Sequence, residues 1–340
     1  MGTTYTDLRL LVDKDFRWSH CSENGNRRDV TIRRKVVKYW PQFNEFGKEA
    51  LSVQDILEHK SGLVAFHREF SVEEATQPAI ISRIIEKSKP LWKPGRKIGY
   101  HAITYGFLID QLLRRADSKH RSIAEIFEED VKQHSKDKDF FIGLPMKEEY
   151  RVARISNPPL LASLIAYAKR PLRFAEIMYK YWRNGGIASI SASYPHILRI
   201  MGSTIPYNDP KIHRLENIGS LGIGSARGMA STIATFFQHH LINDTLQQLI
   251  AVPVEYEDDL VLMQSLFRGY GFFYRQHPVR ENAWTIYHAG NGGQMVEIDP
   301  QQEIVIVLLR NGLRAGSDVE SLYWRVSDHL FNLLLPRMAN

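Results

Sequence analysis

The sequence predicts an α+β fold in which an antiparallel sheet, formed late in the chain, packs against helices formed earlier. Between about residues 50 and 240, apolar residues recur at helical spacing. In the last quarter the pattern changes to short apolar runs separated by Gly, Pro and Asn turns. Helices first and strands second give segregated layers rather than an alternating parallel sheet. The 340 residues suffice for one large domain, or for a core with a sizeable insertion.

In chain order, residues 1–34 read as an atypical, irregular N-terminal segment, because periodicity is weak and Ser22 to Arg28 is polar and turn-like. Residues 35–340 read as the ordered domain, beginning at Lys35 to Phe43. Ser52 is placed to cap a short amphipathic helix over Val53 to His59, which stops before Ser61-Gly62. After the breaker Lys93-Pro94-Gly95, residues Ala102 to Arg115 put Ile103, Phe107, Leu108, Leu112 and Leu113 on one helical face, with Tyr100 at the entrance. Lys119 to Val131 and Pro159 to Trp182 are helix-rich, Gly185-Gly186 interrupts, and Gly219 to Gly228 leads into a helix over about Met229 to His239. Gly271 to Arg275, Trp284 to His288, Gly293 to Ile298 and Glu303 to Leu309 follow as strands, closed by a helix over about Asp318 to Leu335. Sheet and closing helix thus occupy about residues 265–336.

Composition removes several function classes. The hydrophobic fraction is 44% and the charged fraction 24%, and no run approaches the ~18 apolar residues of a membrane span. The net charge of +6 favours anionic ligands at a distance without naming one. The cluster Arg27, Arg28, Arg33, Arg34 and Lys35 lacks interleaved aromatics and reads as a solvated segment, so no nucleic-acid partner is expected. A single cysteine, Cys21, excludes an intrachain disulfide or a cysteine metal site. The opening lacks the charged start and apolar run of a signal peptide, which makes the cytoplasm the default expectation. Met1 to Thr6 fits the permissive myristoylation pattern, a match that chance often supplies.

The segments SVQDILEHKSGL, WKPGRKIGYHAITYGFLIDQLLRRAD, DFFIGLP and YHAGNGGQMVEIDPQQEIVIVLLRNG, in this order, resemble the β-lactamase-related serine hydrolases: class C β-lactamases, penicillin-binding proteins and family VIII carboxylesterases. The resemblance runs from about Val36 to Leu335. It implies an antiparallel sheet covered by helices beside a helical subdomain, with the active site between them. It also implies acyl transfer on a small ester, amide or β-lactam, without a cofactor. Tyr100 and His288 are the candidate catalytic residues, and His101, Ala289 and Gly290 the candidate substrate-binding residues. Ala102 stands where the family has an asparagine. A phenol titrates near pH ~10, so Tyr100 would act as a base only beside positive charge, part of which His288 is expected to supply. Glycine at 290 would let backbone approach a substrate, and Gly292 and Gly293 fit a tight turn after it.

The resemblance fails at the nucleophile, a Ser-x-x-Lys turn in the family. Ser135 alone has a lysine three residues on, Lys138, and it lies in a charged stretch that reads as an exposed connector. Leu8 to Lys14 resembles the end of the nucleophile helix, followed by an unfamiliar insertion over residues 15–34. The expectation is that two N-terminal strands and the serine are missing, and that a longer form with about 60 to 90 further residues carries them, within ordinary domain size. The chain is accordingly expected to be catalytically impaired, or to be a non-catalytic relative whose cleft or helical surface binds a small molecule or a protein. Other chemistry is thin: Gly222-Ile223-Gly224 is half a dinucleotide fingerprint without its βαβ unit, and His239-His240 points about 100° apart on a helix.

Overall fold

The computed structural model describes residues 32–200, 204–239, 241–242, 244–314 and 321–335. Leu8 to Lys14, Cys21, Arg27, Arg28 and His240 lie outside the described residues. The helices are α1 (Val53–Leu57), α2 (Val72–Ala75), α3 (Pro78–Lys87), α4 (Thr104–Ala116), α5 (Ile123–Asp130), α6 (Leu160–Ala168), α7 (Pro171–Arg183), α8 (Ile187–Ser193), α9 (Pro210–His213), α10 (Ala226–Gln238), α11 (Asp244–Ile250) and α12 (Ser321–Leu334). The strands are β1 (Phe140–Ile142), β2 (Gly222–Gly224), β3 (Glu255–Asp259), β4 (Gln264–Gly269), β5 (Phe272–Gln276), β6 (Trp284–Gly290), β7 (Gln294–Asp299) and β8 (Ile304–Leu308).

Strands β3 to β8 form one antiparallel meander in sequence order. Ile286, Val296 and Ile298 join a continuous core with Met229, Ile233, Phe236 and Phe237 of α10 and with the buried residues of α4. On the opposite face α12 packs Trp324 against Tyr287 at 5.1 Å between rings. Glu297, fully buried on β7, accepts from Arg275 Nε at 2.7 Å, Thr285 Oγ1 at 2.6 Å and Tyr323 Oη at 3.2 Å, so its charge is compensated on every side. The sheet is thus held between helical layers, as the α+β pattern predicts.

Local chemistry sets most helix starts. Ser52, Ser71 and Ser122 each cap a helix through a reciprocal box with Asp55, Glu74 and Glu125. Helix α4 begins at Thr104, later than the periodicity suggests, and the segment before it is held by other partners: Tyr100 N donates to Asp259 Oδ1 and His101 N to His59 Nδ1. Strands β3 and β4 were not foreseen in full, since Glu255-Tyr256-Glu257-Asp258-Asp259 lacks the apolar alternation of a strand; acidic residues suit an edge position. Ser135 is buried rather than an exposed connector, because its hydroxyl donates to Asp137 O at 2.7 Å and pairs with Ser231 Oγ at 2.9 Å. Lys138 is exposed.

Helix α4 approaches the segment around Asn217 so closely that only glycine fits. A Cβ on Gly106 would lie 2.2 Å from Asn217 Oδ1, while Asn217 Nδ2 donates to Ile103 O at 3.0 Å. Gly106→Ala is therefore expected to destabilise the fold by ~1–3 kcal/mol through overpacking, read as a lower urea midpoint. An unchanged midpoint would refute the close contact.

Candidate functional site

Tyr100 is fixed by its backbone rather than by helix geometry. Its amide donates to Asp259 Oδ1 at 3.1 Å, and its carbonyl accepts from Ser191 Oγ of α8 at 3.0 Å. Asp259, buried at the end of β3, also accepts from Val261 N at 2.9 Å, Leu262 N at 2.8 Å and Arg268 Nη2 at 3.0 Å. His288 projects from β6, where Val296 is its ladder partner, and its ring lies 5.6 Å from that of Tyr100. Phe273 stacks on His288 at 5.1 Å and stands 6.1 Å from Tyr100. The fold therefore brings Tyr100 and His288 together from two distant segments.

The other candidates are placed differently. His101 is buried with both ring nitrogens engaged: Nδ1–H donates to Gly99 O at 2.6 Å, and Nε2 accepts from Leu63 N at 3.0 Å and faces Ser61 Oγ at 2.8 Å. That tautomer follows from the surrounding hydrogen bonds, and it leaves His101 pinning the loop after α1. Ala289 packs, with Tyr100, against the buried cluster of Phe273, Tyr287 and Met295. Gly290 ends the β6–β7 hairpin, where its carbonyl accepts from Gly293 N at 3.2 Å and Gly292 and Gly293 take positive φ.

Burial dominates the electrostatics. It lowers the His101 pKa to about 4 and the His288 pKa to about 3, and it holds His59 well below its ordinary value. A neutral His288 does not supply the positive field expected of it beside Tyr100, and the buried cation Arg268, 2% exposed, is compensated by its ion pair with Asp259. Histidines with depressed folded pKa values bind more protons when unfolded. Stability is thus complete above pH ~6.5 and is lost as pH falls toward the folded values, with a slope of up to ~1.4 kcal/mol per pH unit for each ring. Urea unfolding measured between pH ~7 and ~4.5 should show this decline, shallower in His288→Phe. A flat profile would contradict it.

Sequence reasoning missed His59, Asp259 and Arg268. His59 lies 4.9 Å from Tyr100 between ring centres, and the Arg268 guanidinium 5.3 Å from Phe273. His59 Nε2, His288 Nε2 and Arg268 Nε and Nη1 are buried without a hydrogen-bond partner among the described residues. The crevice lined by Glu58, His59, Arg268, Gly271, Phe272 and Phe273 is too narrow to admit a water molecule. The one usable sequence signal was Arg268, an ionisable residue directly after Leu266-Phe267; His59, between Glu58 and Lys60, carries no such signal. Gly222 and Gly224 serve strand contact, since a Cβ on Gly224 would lie 2.3 Å from Asp139 O. His239 stands against His134 at 5.3 Å between rings.

The Beta-lactamase family model matches residues 26–331. The chain belongs to the beta-lactamase family. Among curated beta-lactamase relatives it is similar to the esterase/beta-lactamase LipL of Mycobacterium tuberculosis (strain ATCC 25618 / H37Rv), 25% identical over 326 residues that span 92% of this chain and 67% of LipL. In fold it is similar to a family VIII carboxylesterase, with TM-score 0.69 and 19% identity over 93% of this chain and 76% of that one. It is also similar to a penicillin-binding protein homolog from Caulobacter crescentus, with TM-score 0.67 and 20% identity over 92% of this chain and 77% of that one. These likenesses agree with a beta-lactamase-type sheet and helical layers.

Proposed function

We propose that the cleft bordered by Tyr100 and His288 receives the carbonyl of a small ester, amide or β-lactam, and that this chain is impaired in acyl transfer. The observation that carries the reading is His288 Nε2, a buried polar atom with no partner among the described residues, beside Tyr100. A buried polar group left unsatisfied costs ~1–3 kcal/mol, which the Nε2–H tautomer of His288 would offset by donating to the ligand's carbonyl oxygen. Impairment rests on the nucleophile: the sequence offers no Ser-x-x-Lys besides Ser135 and Lys138, and the Ser135 hydroxyl is already bonded to Asp137 and Ser231.

A second reading, a non-catalytic relative that only binds through this cleft, is favoured by Ala102 in the place of the family's asparagine. Ser61 faces a histidine, yet it is 1% exposed and that histidine is already engaged by the Leu63 amide, so it does not serve as a replacement nucleophile. The test is incubation with a serine-reactive fluorophosphonate followed by peptide mass spectrometry. The expected result is no stoichiometric adduct on any serine; an adduct at one serine would overturn impairment.

A further inference from the structure

Helices α6 and α7 form a hairpin whose composition and surroundings disagree. Residues 160–168 read LLASLIAYA, apolar on nearly every side, a pattern that belongs in a core or against lipid. Yet no described side chain of α6 or α7 is buried. Leu161, Leu164, Ile165, Phe174 and Met178 are exposed, and Leu172 and Trp182 reach 87% and 78% exposure. The two helices meet through Tyr167 and Phe174, 5.5 Å between rings. Contiguous exposed apolar surface of this kind marks an interaction site.

Charge selects the occupant. Residues 160–183 carry five cations, Lys169, Arg170, Arg173, Lys180 and Arg183, against the single carboxylate of Glu176. Glu176 is shared between Arg173 at 2.8 Å and Lys180 at 3.0 Å. Two copies of this face would set like charge against like charge across a two-fold axis, which disfavours self-association. Aromatic rings, aliphatic side chains and excess cations together are the composition of a segment lying at a membrane–water interface with anionic headgroups. Neither helix is long and apolar enough to cross a bilayer, so the hairpin would lie in the surface plane.

We propose that the α6–α7 hairpin docks this chain on an anionic lipid surface. The hairpin is tied to the cleft: just after α7, Asn184 Nδ2 donates to Leu260 O at 3.1 Å, and α8 holds the Tyr100 carbonyl through Ser191. Docking would therefore bring the cleft wall to the interface, whether or not the cleft is catalytic.

The experiment is flotation of the purified full chain with phosphatidylglycerol-containing vesicles and with pure phosphatidylcholine vesicles, at low and high salt. Binding is expected to the anionic vesicles, weakened by salt, and reduced about tenfold or more in Leu172→Glu/Trp182→Glu. Both substitutions sit at highly exposed positions, so the variant's thermal unfolding should match the parent's, and a second variant, Lys169→Gln/Arg173→Gln, should lose the preference for anionic lipid. No flotation, or flotation that neither variant weakens, overturns the proposal. So does sedimentation showing a dimer that Leu172→Glu/Trp182→Glu dissociates, which would assign the face to a second copy.

Discussion

Given an activated ester or a penicillin, the chain should turn over at the buffer rate and its intact mass should stay unchanged. Loss of a nucleophile that acts as a unit with its base costs on the order of 10⁶-fold in turnover. Tyr100 is not expected to rescue the reaction, because a phenol acts as a base at neutral pH only beside positive charge and neutral His288 lends it none. Tyr100→Phe and His288→Ala should accordingly leave the residual hydrolysis where it is. A rate well above buffer that either substitution abolishes would contradict the account.

The second large effect is structural. Asp259 is the acceptor on which the Tyr100 segment, the turn after β3 and the Arg268 guanidinium all converge. Asp259→Ala leaves a guanidinium buried without its counter-ion and is expected to cost ~3–5 kcal/mol. Asp259→Ala/Arg268→Met should recover part of that loss, because the orphaned charge is removed with its partner. Urea unfolding of the three proteins measures both effects. A loss under ~1 kcal/mol for the single variant, or no recovery in the double, would show that the ion pair does not organise this corner.

Much of the fold was legible because its signals are local. Ser52 with Asp55, the positive-φ glycines at 292 and 293, and the apolar runs of β6, β7 and β8 each declare themselves within a few residues. Strand β3 was not legible, since an acidic edge strand is defined by its neighbour and not by its own alternation. The meeting of Tyr100 and His288 was legible through ordered family words. The convergence on Asp259 was not, because it depends on which backbone amides the folded chain leaves in need of an acceptor. His101 shows the converse: it stands beside Tyr100 in sequence, yet its ring nitrogens are committed to Gly99, Leu63 and Ser61.

The central claim is that the cleft between Tyr100 and His288 is a carbonyl-binding site that does not acylate. A crystal structure of the chain with a penicillin or a stable ester analogue tests it most directly. The account predicts the ligand intact, its carbonyl within hydrogen-bond reach of Tyr100 Oη or His288 Nε2, and no density joining it to a serine. Continuous density to a serine side chain, or a ligand held away from both residues, would contradict it.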